Sequence, residues 1–255
     1  VTVRDDLARV RVPDLRCDGR WPMMISAAEK IVREIGYECC VIASIDQSPF
    51  SLACELRGVS DFLMDLVDDE QFAYDILELC ARAVVRYGRA MAKAGVHVLN
   101  TGDSAAGGSM IGPGLYTKFA LPFEKMVFDQ LKDLGLPTVL HICGDTRSII
   151  DRMAETGANA LELDSQVDIA EAKAKVGDKV CLIGNLDPAS LLLNGSIEDV
   201  EREARTCIEK GKPGGGFILA SGCVIAPGTP PVNIEAMVSA ARRFGSYETP
   251  DISAS

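Results

Sequence analysis

A histidine and a cysteine two positions apart, His141 and Cys143, end the apolar run at 138–143. Side chains two residues apart on a strand point to the same side, so this spacing predicts that both face one way near the carboxyl end of a strand. In α/β barrels the active site lies at that end of the strands. An imidazole nitrogen beside a thiolate sulfur suits Zn²⁺. The pair therefore predicts two ligands of a zinc site.

A catalytic zinc ion has three protein ligands and an open fourth position, and Cys223 is the candidate third ligand. It follows the predicted strand at 217–220, and Gly222 before it lets the backbone approach a neighbour closely. Spacing alone leaves another interpretation open, in which His141 is a hydrogen-bonded core histidine and both cysteines are small buried hydrophobes. The other histidine, His97, is expected to be structural.

Acidic residues follow three other predicted strands. Asp103 follows the strand at 96–99, Asp164 the strand at 160–163 and Asp187 the strand at 180–183. We predict Asp103 as a catalytic residue lining the pocket and Asp164 as a displaceable fourth zinc ligand. The alternative for each is an aspartate that caps a helix, which suits Asp187 because Pro188 follows it.

Short apolar runs alternate with amphipathic segments along the chain, which predicts βα units and a parallel sheet. We count six units, against the eight of a closed (β/α)8 barrel. The first strands are expected at 39–45 and 96–99. A lead-in segment at 1–22, an α/β barrel domain at 23–247 and a flexible tail at 248–255 complete the predicted organisation. The predicted helical segments are 27–35, 61–93, 122–134, 148–155, 169–176, 197–210 and 233–244.

The composition limits the classes of molecule that the protein is expected to bind. The 255 residues include 26 basic and 37 acidic side chains, a net charge of −11, so nucleic acid and anionic membranes are not expected partners. No run approaches the about eighteen apolar residues of a membrane span, and 1–6 lacks the apolar core of a signal peptide. The odd number of cysteines, nine, and the position of several within apolar runs favour reduced thiols in the cytoplasm. No two form a C-x-x-C pair, so a zinc ribbon or a thioredoxin-like site is not expected. Small molecules and other proteins are the expected partners.

Several motifs together resemble one family. They are H-I-C-G at 141–144, G-N-L-D-P at 184–188, S-G-C at 221–223 and A-P-G-T-P at 226–230. The chain resembles, from about residue 5 to about residue 245, the uroporphyrinogen decarboxylase superfamily, in the branch of methylcobalamin:coenzyme M methyltransferases and related corrinoid-dependent enzymes. The resemblance implies a (β/α)8 TIM barrel, here lacking its first two strands, and zinc ligands at His141, Cys143 and Cys223.

The resemblance also implies an activity. It is a zinc-dependent transfer of a methyl group between a methylated corrinoid, as co-substrate, and a thiol such as coenzyme M. The corrinoid would arrive on a separate corrinoid protein that docks transiently, with Met110, Asn185 and Asp187 as candidate corrinoid-binding residues. The arginine-rich N-terminal motif of true uroporphyrinogen decarboxylases is not found here, so decarboxylation is not expected.

Three alternatives concern activity and assembly. One is a demethylase that moves methyl from a methoxy or methylamine compound to a corrinoid protein. Another is a barrel without catalytic activity, retained as a subunit or binding partner. A homo-oligomer is also compatible with the sequence.

Overall fold

The computed structural model describes residues 1–247, without the side chain of Asp46. The predicted tail at 248–255 lies outside the described residues. The chain divides into two compact units, the first spanning Val1–Leu161 and the second beginning at Glu162.

Six short strands alternate with helices, as predicted. The strands are β1 (Ile42–Gln47), β2 (Val98–Gly102), β3 (Thr138–Ile142), β4 (Ala160–Leu163), β5 (Cys181–Leu186) and β6 (Phe217–Ser221). Within the first unit β1 pairs with β2 and β2 with β3, and within the second β5 pairs with β6, all in parallel.

The helices of the first unit differ from the prediction between β1 and β2. One amphipathic segment was expected at 61–93, but two helices occupy it, because the chain leaves helical geometry at Asp69, with a φ of −147° and a ψ of 70°. A further helix precedes them, and Gly58, with a φ of +95°, separates it from the next. Asp69 then caps the third of these helices by accepting a hydrogen bond from the Phe72 amide at 3.2 Å. The helices of this unit are α1 (Arg4–Leu7), α2 (Trp21–Ile35), α3 (Pro49–Arg57), α4 (Val59–Asp68), α5 (Glu70–Lys93), α6 (Gly112–Leu115), α7 (Leu121–Leu131) and α8 (Ile150–Met153).

The core of the first unit is rich in large side chains. Phe50 and Phe62 are fully buried and meet edge to face, with ring centroids 5.2 Å apart. Burying such a side chain contributes about 1.5–3 kcal/mol to folding. This packing fixes α3 against the unit, and the N-terminus of α3 lies beside the loop after β2, where the Asp103 carboxylate accepts from the Ser51 amide.

The second unit follows the predicted pattern more closely. Its helices are α9 (Ile169–Val176), α10 (Ile197–Gly211) and α11 (Pro231–Phe244), and a π-helical segment at Pro188–Leu193 was not predicted. Ser196 and Asp199 form a capping box that starts α10. Across residues 1–247, no helix has both the length and the apolar composition to cross a bilayer.

Candidate metal centre

His141 and Cys143 lie together at the carboxyl end of β3. His141 is the fourth residue of the strand and Cys143 follows its last residue. The Nε2 atom of His141 lies 3.0 Å from the Sγ atom of Cys143, so both side chains point the same way, as the spacing predicts. Both residues are half-buried. A nitrogen donor and a sulfur donor are thus presented side by side where solvent can reach them.

The loop after β2 runs alongside this pair. Gly102 is the register partner of His141, and the next amide, from Asp103, donates to the His141 carbonyl at 2.8 Å. One residue further, the Ser104 hydroxyl donates to the Cys143 sulfur at 3.2 Å. Sequence reasoning missed Ser104. The signal available was its position two residues beyond the end of a strand that neighbours β3 in a parallel sheet.

Cys223 follows β6 in the second unit, and Gly222 fixes its approach. The Gly222 amide donates to the Leu186 carbonyl at 2.7 Å. A Cβ atom at Gly222 would lie 2.5 Å from the Ser165 amide nitrogen, closer than any side chain tolerates. The close backbone approach predicted from this glycine is therefore confirmed.

Two potential ligand atoms, His141 Nε2 and Cys143 Sγ, lie together in the first unit. Cys223, in the second unit, offers a further thiol of the kind that zinc binds. Around a tetrahedral zinc ion with bonds of about 2.0 Å to nitrogen and about 2.3 Å to sulfur, ligand atoms lie about 3.6–3.8 Å apart. The chemistry of His141 and Cys143 and their separation of 3.0 Å therefore suit two ligands of one zinc ion, and Cys223 as the third ligand stays a prediction.

Asp103 is fully buried behind the pair. Its Oδ1 atom accepts from the Ser51 amide at 2.7 Å, and its carboxyl group also interacts with that of Glu124. Burial raises the pKa of Asp103 to about 6. Burial and the nearby Asp103 charge raise the pKa of Glu124 well above its usual range. A catalytic role for Asp103 stays a prediction, and what the geometry establishes is a carboxylate that anchors a loop.

Glu124 was not singled out from the sequence. The Tyr116 hydroxyl donates to its Oε2 atom at 2.6 Å. Its Oε1 atom and the Oδ2 atom of Asp103 are both buried without a hydrogen-bond partner. A proton held between the two carboxyl groups would satisfy both oxygens, and the raised pKa values of both groups favour that arrangement.

The other acidic candidates make local hydrogen bonds. The Asp164 Oδ1 atom accepts from the Gln166 amide at 3.0 Å, and the residue is half-buried. Asp187 caps the π-helical segment, because its Oδ1 atom accepts from the amides of Ala189 and Ser190, both at 2.8 Å. A hydrogen bond from the Ser190 hydroxyl holds the pKa of Asp187 below its usual value. Asp164 as a fourth zinc ligand stays a prediction.

The remaining predicted site residues belong to different units. The side-chain amide of Asn185 donates through Nδ2 to the backbone carbonyls of Asp164 and Val167, at 2.9 and 2.6 Å. Asn185 and Asp187 both line a cavity of about 630 Å³ in the second unit. Met110, in the first unit, is 53% exposed. Corrinoid contact by these residues stays a prediction.

The loop after β2 and His97 make contacts near the strand ends. A Cβ atom at Gly107 would lie 3.3 Å from the Cys143 carbonyl oxygen, so the glycine permits close packing against the β3 end. The Nδ1 atom of His97 accepts from the Val41 amide at 3.0 Å. His97 therefore ties the start of β1 to the start of β2, which agrees with the predicted structural role.

Known proteins resemble this chain over nearly its whole length. The family model for uroporphyrinogen decarboxylase (URO-D) matches residues 1–244. The methylcobamide:CoM methyltransferase MtbA of Methanosarcina mazei is 35% identical over 89% of this chain and 65% of its own length. A uroporphyrinogen decarboxylase of Synechococcus sp. (strain CC9605) is 35% identical over 87% of this chain and 63% of its own.

A solved structure gives the same result at the level of the fold. A methyltransferase from Methanosarcina mazei superposes with a TM-score of 0.87 at 28% identity, over 94% of this chain and 69% of the other. The chain spans less than two thirds of the length of the curated relatives named above.

Proposed function

The chain belongs to the uroporphyrinogen decarboxylase (URO-D) family, and from that premise we propose that it is a zinc-dependent methyltransferase. In this proposal it moves a methyl group between a methylated corrinoid and a thiol such as coenzyme M. The observation that supports it most is the donor pair at the end of β3, with His141 Nε2 3.0 Å from Cys143 Sγ. The name of the Methanosarcina relative, a methylcobamide:CoM methyltransferase, supports the substrates.

His141, Cys143 and Cys223 would hold the zinc ion. Bound there, zinc supplies the Lewis acidity that keeps a coordinated thiol deprotonated at neutral pH. Cys143 and Cys223, as two thiolates, balance the charge of a divalent ion. Because that charge is already balanced, a substrate sulfur bound to the same ion would stay electron-rich enough to act as a nucleophile.

The transfer itself needs no proton movement by the protein. In the proposed transfer the thiolate sulfur of the acceptor would take the methyl group, and the corrinoid would keep both electrons of its cobalt–carbon bond on cobalt. The corrinoid thus brings the reactive bond, and the chain supplies binding and orientation. Asp164 is proposed as a ligand that the incoming thiol displaces.

The corrinoid is proposed to arrive on a separate protein. Neither His97 nor His141 lies in an Asp-x-His sequence of the kind that a corrinoid carrier presents to cobalt. The carrier would dock transiently, with Met110, Asn185 and Asp187 as the proposed corrinoid contacts. Transient interfaces tend to be small. A cytoplasmic location and a homo-oligomeric assembly belong to the same proposal.

An assay with free methylcobalamin tests the proposal. Zinc-loaded protein with coenzyme M should consume the methyl–cobalt absorbance, and a corrinoid carrier protein should speed the reaction. Cys143→Ser should abolish it, whereas Cys17→Ser, at an exposed cysteine outside the donor set, should leave it unchanged. Equal rates for Cys143→Ser and the unsubstituted protein would refute the proposal.

A further inference from the structure

The Ser104 hydroxyl donates a hydrogen bond to the Cys143 sulfur at 3.2 Å. We propose that Ser104 is a positioning residue that orients the Cys143 sulfur for metal binding. This inference rests on the proposed zinc site and adds to it a residue that does not itself touch the ion.

Strand register brings Ser104 to this place. Gly102 and His141 are register partners in the parallel pair of β2 and β3. Advancing two residues on each strand gives Ser104 and Cys143, so the two side chains meet just beyond the strand ends. The hydrogen bond between Asp103 and the His141 carbonyl, at 2.8 Å, extends the pairing by one residue and holds this alignment.

Both neighbours of Ser104 are tied to a single residue of α3. The Asp103 Oδ1 atom accepts from the Ser51 amide at 2.7 Å, and the Ala105 amide donates to the Ser51 hydroxyl at 2.9 Å. Ser51 is itself buried in the first unit. The backbone on either side of Ser104 is therefore fixed, and its hydroxyl loses little freedom when it binds sulfur.

The carboxyl pair behind the loop strengthens this anchor. Asp103 is fully buried and interacts with Glu124, which accepts from the Tyr116 hydroxyl at 2.6 Å. Moving Asp103 outward would break this set of buried hydrogen bonds, which is costly in a low-dielectric interior. The loop that holds Ser104 is thus anchored from inside the unit.

The chemistry of the contact suits a metal-bound thiolate. A hydroxyl that donates to sulfur lowers the energy of the sulfur lone pairs and limits the directions in which they point. Removing a group that holds a metal ligand in this way typically weakens metal affinity about 10- to 100-fold. Ser104 is exposed, so water competes for the sulfur, and the lower end of that range is expected.

The test compares Ser104→Ala, Ser104→Thr and, as a matched control in the same loop, Ser109→Ala. Zinc affinity is measured by competition with a chromophoric chelator. The sulfur-to-cobalt charge-transfer band is recorded after loading with Co²⁺. Ser104→Ala should bind zinc about 10-fold more weakly and shift the band to longer wavelength. Ser104→Thr, which keeps the hydroxyl, and Ser109→Ala should match the unsubstituted protein, and all variants should melt at the same temperature.

The outcomes separate this inference from the proposed function. If the unsubstituted protein binds no zinc, the zinc proposal itself fails. If it binds zinc and Ser104→Ala has the same affinity and the same band, Ser104 does not position the sulfur. Weaker zinc binding by Ser104→Ala with an unchanged band and a lower melting temperature would also overturn the inference, because that pattern indicates a general loss of structure.

Discussion

The Nε2 atom of His141 lies 3.0 Å from the Sγ atom of Cys143, across one residue at the end of β3. Two ligands of a tetrahedral zinc ion are separated by about 3.6 Å, so the two side chains need to part by only about half an ångström to accept the ion. Strand geometry sets the shared direction of the pair. The loop after β2 adds a hydrogen bond to each residue, from Asp103 to the His141 carbonyl and from Ser104 to the Cys143 sulfur.

The two histidines of the chain should respond differently to substitution. His141→Ala should reduce zinc from about one ion per chain to near zero with little change in stability. His97→Ala should keep zinc but lose about 1–2 kcal/mol of unfolding free energy, because the Val41 amide loses its acceptor. Elemental analysis and chemical denaturation of both variants measure the two effects, and each variant serves as the control for the other. Loss of zinc from His97→Ala, or retention of zinc by His141→Ala, would contradict the assignment of His141 as the zinc ligand and His97 as a structural residue.

Gly222 should tolerate no side chain. In Gly222→Ala the new methyl group would sit 2.5 Å from the Ser165 amide nitrogen, so the backbone must move and shift Cys223 with it. We expect a loss of about 1–3 kcal/mol in unfolding free energy, together with weaker zinc binding. Gly114→Ala is the matched control, since a Cβ there meets nothing within 4 Å. Equal stability and equal zinc affinity for the two variants would show that the close approach at Gly222 contributes to neither.

The Asp103–Glu124 pair should make stability depend on pH. Burial raises the pKa of Asp103 from 3.8 to about 6 and raises that of Glu124 well above 4.5. The folded state therefore binds more protons than the unfolded state above about pH 4, and stability from the pair is lost as pH rises through the folded pKa values.

Glu124→Gln isolates this effect, because glutamine stays neutral and can still pair with Asp103 and Tyr116. Denaturation of both proteins between pH 5 and pH 8 should show the unsubstituted protein losing stability relative to the variant as pH rises. The expected slope is about 1 kcal/mol per pH unit where the pair titrates. Parallel stability curves would contradict the shared proton.

Sequence periodicity predicted most of the fold. All six strands appear close to their expected positions, and β4 and α9 match at both ends. The region between β1 and β2 was harder to predict, because Asp69 divides a continuous amphipathic pattern into two helices and Gly58 separates a third helix before it. The π-helical segments at Tyr116–Ala120 and Pro188–Leu193 have no periodic signal of their own.

The candidate site was predictable where strand geometry decides it. His141 and Cys143 follow from alternation along one strand, and Gly222 from the need for close approach. Ser104 depends on the register between two strands, which no single-strand pattern encodes. The pairing of Asp103 with Glu124 joins a loop to a helix 21 residues further along the chain, and only tertiary packing brings the two together.

X-ray absorption at the zinc edge, with and without coenzyme M, tests the central claim most directly. The account predicts that the zinc-loaded protein shows two sulfur ligands and one imidazole nitrogen, and that coenzyme M raises the sulfur count from two to three. Cys143→Ser should lower each count by one or lose the metal. A sulfur count that stays at two in the presence of saturating thiol, or a zinc ion without sulfur ligands, would contradict a thiolate acceptor held by His141, Cys143 and Cys223.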